Sequence, residues 1–173
     1  CNLAKFSDYL PSDLQLAGQA EASGKIRGAL KEPNIIGDVK LAQGKVNQED
    51  ISELSARIYY KKEIVNVKQL AFNYKGGQIS GDGTVNLKEK LEYMLSLNFS
   101  SLQLAQVSLD TDYNLDLLGL ASGEGIISGQ GLNKEKLNVL GSISVNQGRI
   151  VGYPFDQFTS NFWVNKGKLF LNQ

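Results

Sequence analysis

The 173-residue sequence contains no histidine. That absence excludes Ser-His-Asp and Cys-His nucleophile arrangements, histidine general bases and most zinc sites together. Cysteine occurs once, as Cys1, so neither an internal disulfide nor a cysteine-built metal site is available. A cysteine followed by a small polar residue is how a mature bacterial lipoprotein begins, but an arbitrary chain boundary gives the same pattern and is the plainer expectation. Lys plus Arg number 18 and Asp plus Glu number 18, leaving no net field to draw nucleic acid or an anionic membrane surface. No apolar run approaches the roughly 18 residues that a spanning helix needs. Prolines number three and glycines 18, and long helical periodicities are missing. Such a composition suits strands that bend or pack closely.

What the sequence does contain is a repeat. Adding 104 carries residues 37–67 onto 141–171 with their chemistry preserved: Gly37 onto Gly141, Val39 onto Ile143, Leu41 onto Val145, Gly44 onto Gly148, Val46 onto Ile150, Ile51 onto Phe155, Ile58 onto Phe162 and Val67 onto Leu171. Upstream the offset is 101, matching Leu16 with Leu117, Gly18 with Gly119, Gly24 with Gly125 and Ile26 with Ile127. The three-residue difference falls at Lys31, Glu32, Pro33 and Asn34, a turn-like stretch that tolerates an insertion. The repeated positions are small, apolar or polar rather than reactive, which marks a repeat architecture. The expectation is one continuous β-repeat segment, 1–173, of a larger protein, with repeat 1 over about 3–100 and a partial repeat 2 over about 104–173.

Within each copy the hydrophobic period is two. Residues 78–87 put Ile79, Gly81, Gly83, Val85 and Leu87 on one face and Gln78, Ser80, Asp82, Thr84 and Asn86 on the other, and residues 91–99 repeat the pattern. Residues 54–60 and 65–67 flank Lys61, Lys62 and Glu63 as a hairpin does. The apolar phase slips by one residue between Val67 and Leu70, which requires a bulge or turn at Lys68 and Gln69. Short helical turns are expected over 2–10 and 102–107. About a dozen strands, apolar on one face and without crossover helices, imply antiparallel neighbours. A sheet that wide curls or splits. The fold read here is all-β: a long, strongly curved, taco-like antiparallel sheet with an apolar concave groove, built from repeats of about 100 residues. Its alternative is a β-sandwich whose two apolar faces meet in a dry core. The positions assigned to the inner face are Val39, Leu41, Ile58, Val65, Val67, Phe72, Ile79, Val85, Leu95, Leu97, Phe99, Ile127, Ile143, Val145, Ile150, Phe162, Leu169 and Leu171.

Reactive motifs are weak. Glu49, Asp50 and Glu53 lie close together in a polar connection with nothing to desolvate them, so a solvated loop outweighs an acid/base pair. Asp110, Asp112, Asn114 and Asp116 imitate the start of a calcium loop, but Leu115 stands where that loop needs glycine and Ala121 where it needs its bidentate Glu. Gly123, Gly125, Gly129 and Gly131 could suggest a phosphate cradle, yet they sit in a period-two stretch rather than before a helix. No catalytic residue, metal site or cofactor is expected.

Two runs resemble a known family. Leu16, Ala17, Gly18, then Ala22, Ser23, Gly24, Lys25, Ile26, Arg27, Gly28, then Pro33, Ile36, Gly37, Asp38, Val39, then Leu41, Gly44 and Val46 resemble the AsmA and TamB superfamily of bacterial envelope proteins. Gly76, Gly77, Ile79, Gly81, Gly83 and Val85 are similar to the glycine-rich strand that closes each of that family's repeats, and the TamB branch fits best. The resemblance implies a periplasmic segment of a large protein anchored in the inner membrane, whose apolar groove carries phospholipid towards the outer membrane and supports outer-membrane biogenesis. It also implies an outer-membrane barrel protein as a partner, through another part of the parent chain. The apolar positions named above would then line a lipid groove and meet acyl chains. A dozen strands about 4.8 Å apart would make a trough roughly 55 Å long, wide enough for an acyl chain. The competing class is a structural or adhesive β-repeat with a filled core. Cut from its neighbours, the sheet would expose unpaired edges and associate through them.

Overall fold

A computed structural model describes residues 2–3, 15–29, 31–47, 49–88, 91–107, 117–131, 134–166 and 168–172. Its ten strands are β1 (Leu16–Ala29), β2 (Glu32–Val46), β3 (Glu49–Lys61), β4 (Ile64–Tyr74), β5 (Gly77–Asn86), β6 (Glu92–Gln103), β7 (Leu117–Gln130), β8 (Asn138–Ile150), β9 (Tyr153–Asn165) and β10 (Lys168–Asn172). They form one antiparallel sheet in simple chain order, and β10 does not return to β1. Among the described residues helix is limited to 3-10 turns at Leu104–Gln106 and Lys134–Lys136 and to Leu3. The first lies in the expected 102–107 stretch, and most of the other, 2–10, falls outside the described residues.

Tight turns explain the meander. Lys62 and Glu63, between β3 and β4, both have positive φ (48° and 62°), as do Lys75 and Gly76 (46° and 75°) between β4 and β5. Two successive positive φ values give the primed turn whose twist matches that of paired strands. The phase slip after Val67 is a bulge: the β4–β5 register shifts between Val67 and Leu70, and Gln69 has φ 53°.

The strands number ten rather than about a dozen because bulges interrupt the alternation without ending the pairing. Residues 37–41 and 44–46 both lie in β2, and 138–145 and 148–150 both lie in β8. Where β1 advances two residues from Gly18 to Ala20, β2 advances three from Gly44 to Leu41. The same mismatch recurs where β7 runs from Leu118 to Leu120 against Arg149 to Asn146 of β8. Gly18 and Gly119 sit at these bulges with φ 127° and 130°. A side chain at Gly18 would lie 2.7 Å from the Gln43 carbonyl oxygen, so glycine is required there.

Burial is shallow. Among the described residues only Ala20, Leu41, Ile51, Ala56, Ala121 and Val145 are buried apolar side chains. The accessible surface is 12162 Å², whereas a globular chain of 18.9 kDa exposes about 8,300 Å². Among the described residues no second layer of strands packs on the apolar face, and Leu3 lies against its Ala20, Leu41 and Ile51 cluster.

Candidate functional site: the apolar face of the sheet

Directly opposed residues of an antiparallel pair project to the same side of the sheet. Following the register from strand to strand thus assembles each face. Val39 opposes Ala22 and Ala56, and Ile58 opposes Gly37 and Val67. Val65 opposes Val85, and Phe72 opposes Ile79. Ile79 then opposes Phe99, Gly81 opposes Leu97, and Gly83 opposes Leu95. Leu95 faces Ile127, which faces Val139, while Ile143 lies between Gly123 and Ser160. Val145 opposes Phe158, Phe162 lies between Gly141 and Leu171, and Val164 opposes Leu169. The positions expected to share a face therefore do so, with Leu41 joining through Ala20 and Leu54. Ile150 lies beyond the β8 bulge, between Leu117 and Tyr153. The same rows hold Tyr60, Leu70, Tyr93, Val139, Phe158 and Val164, which are not among the positions assigned to the inner face although each keeps the phase of its strand.

The face alternates large and small residues across strands. Phe99 lies over Gly123, where an added Cβ would come 2.8 Å from its ring, and Phe162 lies over Gly141 at 2.9 Å. Glycine here provides the space into which the neighbouring ring folds. The strands between the sheet edges keep this face half-buried, whereas Leu169 and Leu171 on β10 are each 56% exposed. Ser160 is the one buried polar side chain among the described residues, and its hydroxyl lies 3.0 Å from the Asn172 carbonyl oxygen and 2.9 Å from that of Asn161. Burial pushes the Tyr93 hydroxyl above its ordinary pKa.

The carboxylates considered for acid/base work have separate partners. Glu49 pairs with Lys75 at 2.7 Å, Asp50 with Lys45 at 3.2 Å, and Glu53 accepts a hydrogen bond from Asn73 at 2.8 Å. The hydrogen bond from Lys75 holds the Glu49 carboxyl below the usual carboxylate range. Tyr74, close to the same pair, is raised first by burial and then by the Glu49 charge. Gly123, Gly125 and Gly129 lie inside β7, in strand and not before a helix. The calcium-loop imitation at 110–116 and Cys1 fall outside the described residues. No group of three or more His, Cys, Asp or Glu among the described residues could hold a metal ion.

Pattern reading missed a feature of the opposite, polar face. Ile126, Leu140, Trp163 and Phe170 oppose one another in sequence across β7 to β10 and are 47%, 62%, 38% and 40% exposed. Trp163 and Phe170 stack with centroids 5.0 Å apart and planes 8° from parallel. Each of these residues sits at a polar phase of its strand. Compared with known proteins, the chain matches no family model, no curated protein and no solved structure.

Proposed function

We propose that this chain is a TamB-like periplasmic segment of a cell-envelope protein that carries phospholipid along its apolar face between the inner and outer membranes. In this reading the sheet curves along its width so that the apolar face becomes a trough, roughly 45 Å long for ten strands at about 4.8 Å spacing. Acyl chains lie against Ile79, Leu97, Ile143 and their cross-strand neighbours. The parent protein is anchored in the inner membrane, meets an outer-membrane barrel protein through another part of its chain and supports outer-membrane biogenesis. Isolated from that parent, the segment associates through its open edges, of which β10 is the more apolar.

The observation that carries the reading is an apolar face continuous across ten strands, over which the described residues place no second layer. A filled sandwich core would bury most of the large apolar side chains, and no described residue reaches full burial with a large side chain.

Photo-crosslinking in cells tests the reading directly. Probes at Ile79, Leu97 and Ile143 should capture lipid, and probes at their polar-face neighbours Ser80, Asn98 and Ser144 should not. Equal capture from both faces would sink it.

A further inference from the structure

The geometry points to a binding site for an uncharged saccharide on the polar face, near one rim of the sheet. A cavity of about 960 Å³ lies there, within the range of small-molecule sites. Its lining includes Gln43, Ser52, Asn73, Gln78 and Ser100. The register makes these one continuous row: Gln43 opposes Ser52, Ser52 opposes Asn73, Asn73 opposes Gln78, and Gln78 opposes Ser100. Five strands thus present an amide or hydroxyl at about 4.8 Å intervals.

The chemistry of the row selects the ligand. Every member both donates and accepts hydrogen bonds, as a sugar hydroxyl does, and none carries charge. Only Asn73 is engaged among the described side chains, donating its amide to Glu53, which leaves its oxygen free to accept. The charged residues that line the cavity are paired, Lys45 with Asp50 at 3.2 Å and Lys75 with Glu49 at 2.7 Å, and the nearby Glu53 carboxylate adds a negative charge that disfavours an anion. An anionic ligand would have to break one of these pairs. A polyhydroxylated neutral ligand only exchanges water for amide and hydroxyl partners. The regular spacing further favours an extended oligosaccharide, whose ring-by-ring repeat can meet successive strands, over a single small polyol. The row is on the opposite face from the apolar rows, although the cavity wall also takes in Ile51 and Tyr74 of the apolar cluster, and saccharide binding is read independently of lipid carriage.

The test is an NMR titration of the 173-residue chain with chitotetraose, maltotetraose and a sulfated heparin tetrasaccharide. A neutral oligosaccharide should shift the backbone amides of residues 43–45, 50–52, 73–78 and 100–101. Gln78→Leu keeps the volume and removes the hydrogen bonds, and should weaken binding about tenfold, while Gln157→Leu, on the polar face of β9, should leave it unchanged. If Gln78→Leu lost its folded spectrum, Ser100→Ala would supply the same comparison. Shifts confined to the sulfated sugar, no shifts at these amides with either neutral sugar, or unchanged binding in both row variants would each overturn the proposal.

Discussion

One cross-strand row on the polar face runs the width of the sheet and changes character along it. Through β2 to β5 it reads Asp38, Arg57, Lys68, Asp82, with Asp38 accepting from Arg57 at 2.8 Å and Lys68 paired to Asp82. Through β6 to β10 it continues as Ser96, Ile126, Leu140, Trp163 and Phe170. The first half closes its row with ion pairs, and the second leaves an aliphatic and aromatic strip in water. Yet the inner face and the pairing are alike in both halves, down to the matched bulges at Gly18 and Gly119. Strand order and register therefore rest on the inner face and the bulges, and the outer row is free to differ.

The largest effect should come from placing the same charge on each side of one strand. Val145 is 3% exposed on the inner face of β8, and Leu140 is 62% exposed on its outer face. Val145→Asp buries an unpaired carboxylate and should cost several kcal/mol, enough to unfold a marginal domain. Leu140→Asp stays hydrated and should change stability by less than about 0.5 kcal/mol. Urea denaturation of the two variants reads both. Similar losses would mean that the outer strip is part of a packed interior after all.

How much of this was legible in the sequence follows from how far apart the determining residues are. Alternation within one strand fixed the apolar face, and the phase slip at Lys68 and Gln69 located a bulge, because both signals lie within a few neighbouring residues. A break in alternation, such as the one within 37–46, looks the same whether a strand ends or bulges, which is why alternation alone suggests about a dozen strands where the sheet has ten. The strip Ile126, Leu140, Trp163 and Phe170 was invisible. Each residue alone is an apolar exception at a polar phase, and only pairing across the sheet brings them into line. The row Gln43, Ser52, Asn73, Gln78 and Ser100 was hidden for the same reason.

A smaller difference separates the halves at equivalent turns. Asn47 follows β2 with φ 47°, and its counterpart Val151 follows β8 with φ 49°. Asparagine tolerates this left-handed conformation, and here its side-chain oxygen also accepts a hydrogen bond from the Gln15 amide at 2.7 Å. A β-branched residue is strained there. Val151→Asn should raise stability by about 1 kcal/mol, seen as a higher urea midpoint with an unchanged slope. Asn47→Val should lower it. A neutral result for both would mean that the turn relaxes at no cost and that the halves are equivalent here.

The smallest effect is electrostatic, and it belongs to the first half alone. The hydrogen bond from Arg57 holds the Asp38 carboxyl below its ordinary range, and the one from Lys75 does the same for Glu49. A carboxylate with a lowered pKa in the folded state contributes stability that is fully present above the ordinary carboxylate pKa, about 4. That contribution is lost as pH falls through the depressed folded value, because between the two pKa values the unfolded chain binds more protons than the folded one. Both groups are open to solvent, so screening keeps the contribution small and added salt reduces it further. Thermal unfolding at neutral pH and at about pH 3 should show a drop in midpoint for the parent chain and a shallower one for Asp38→Asn with Glu49→Gln. The strip from Ile126 to Phe170 has no titrating member, so Leu140→Ala with Phe170→Ala should leave the acid dependence as steep as in the parent. An equal slope in the charge-removed variant would show that these pairs do not distinguish the two halves in solution.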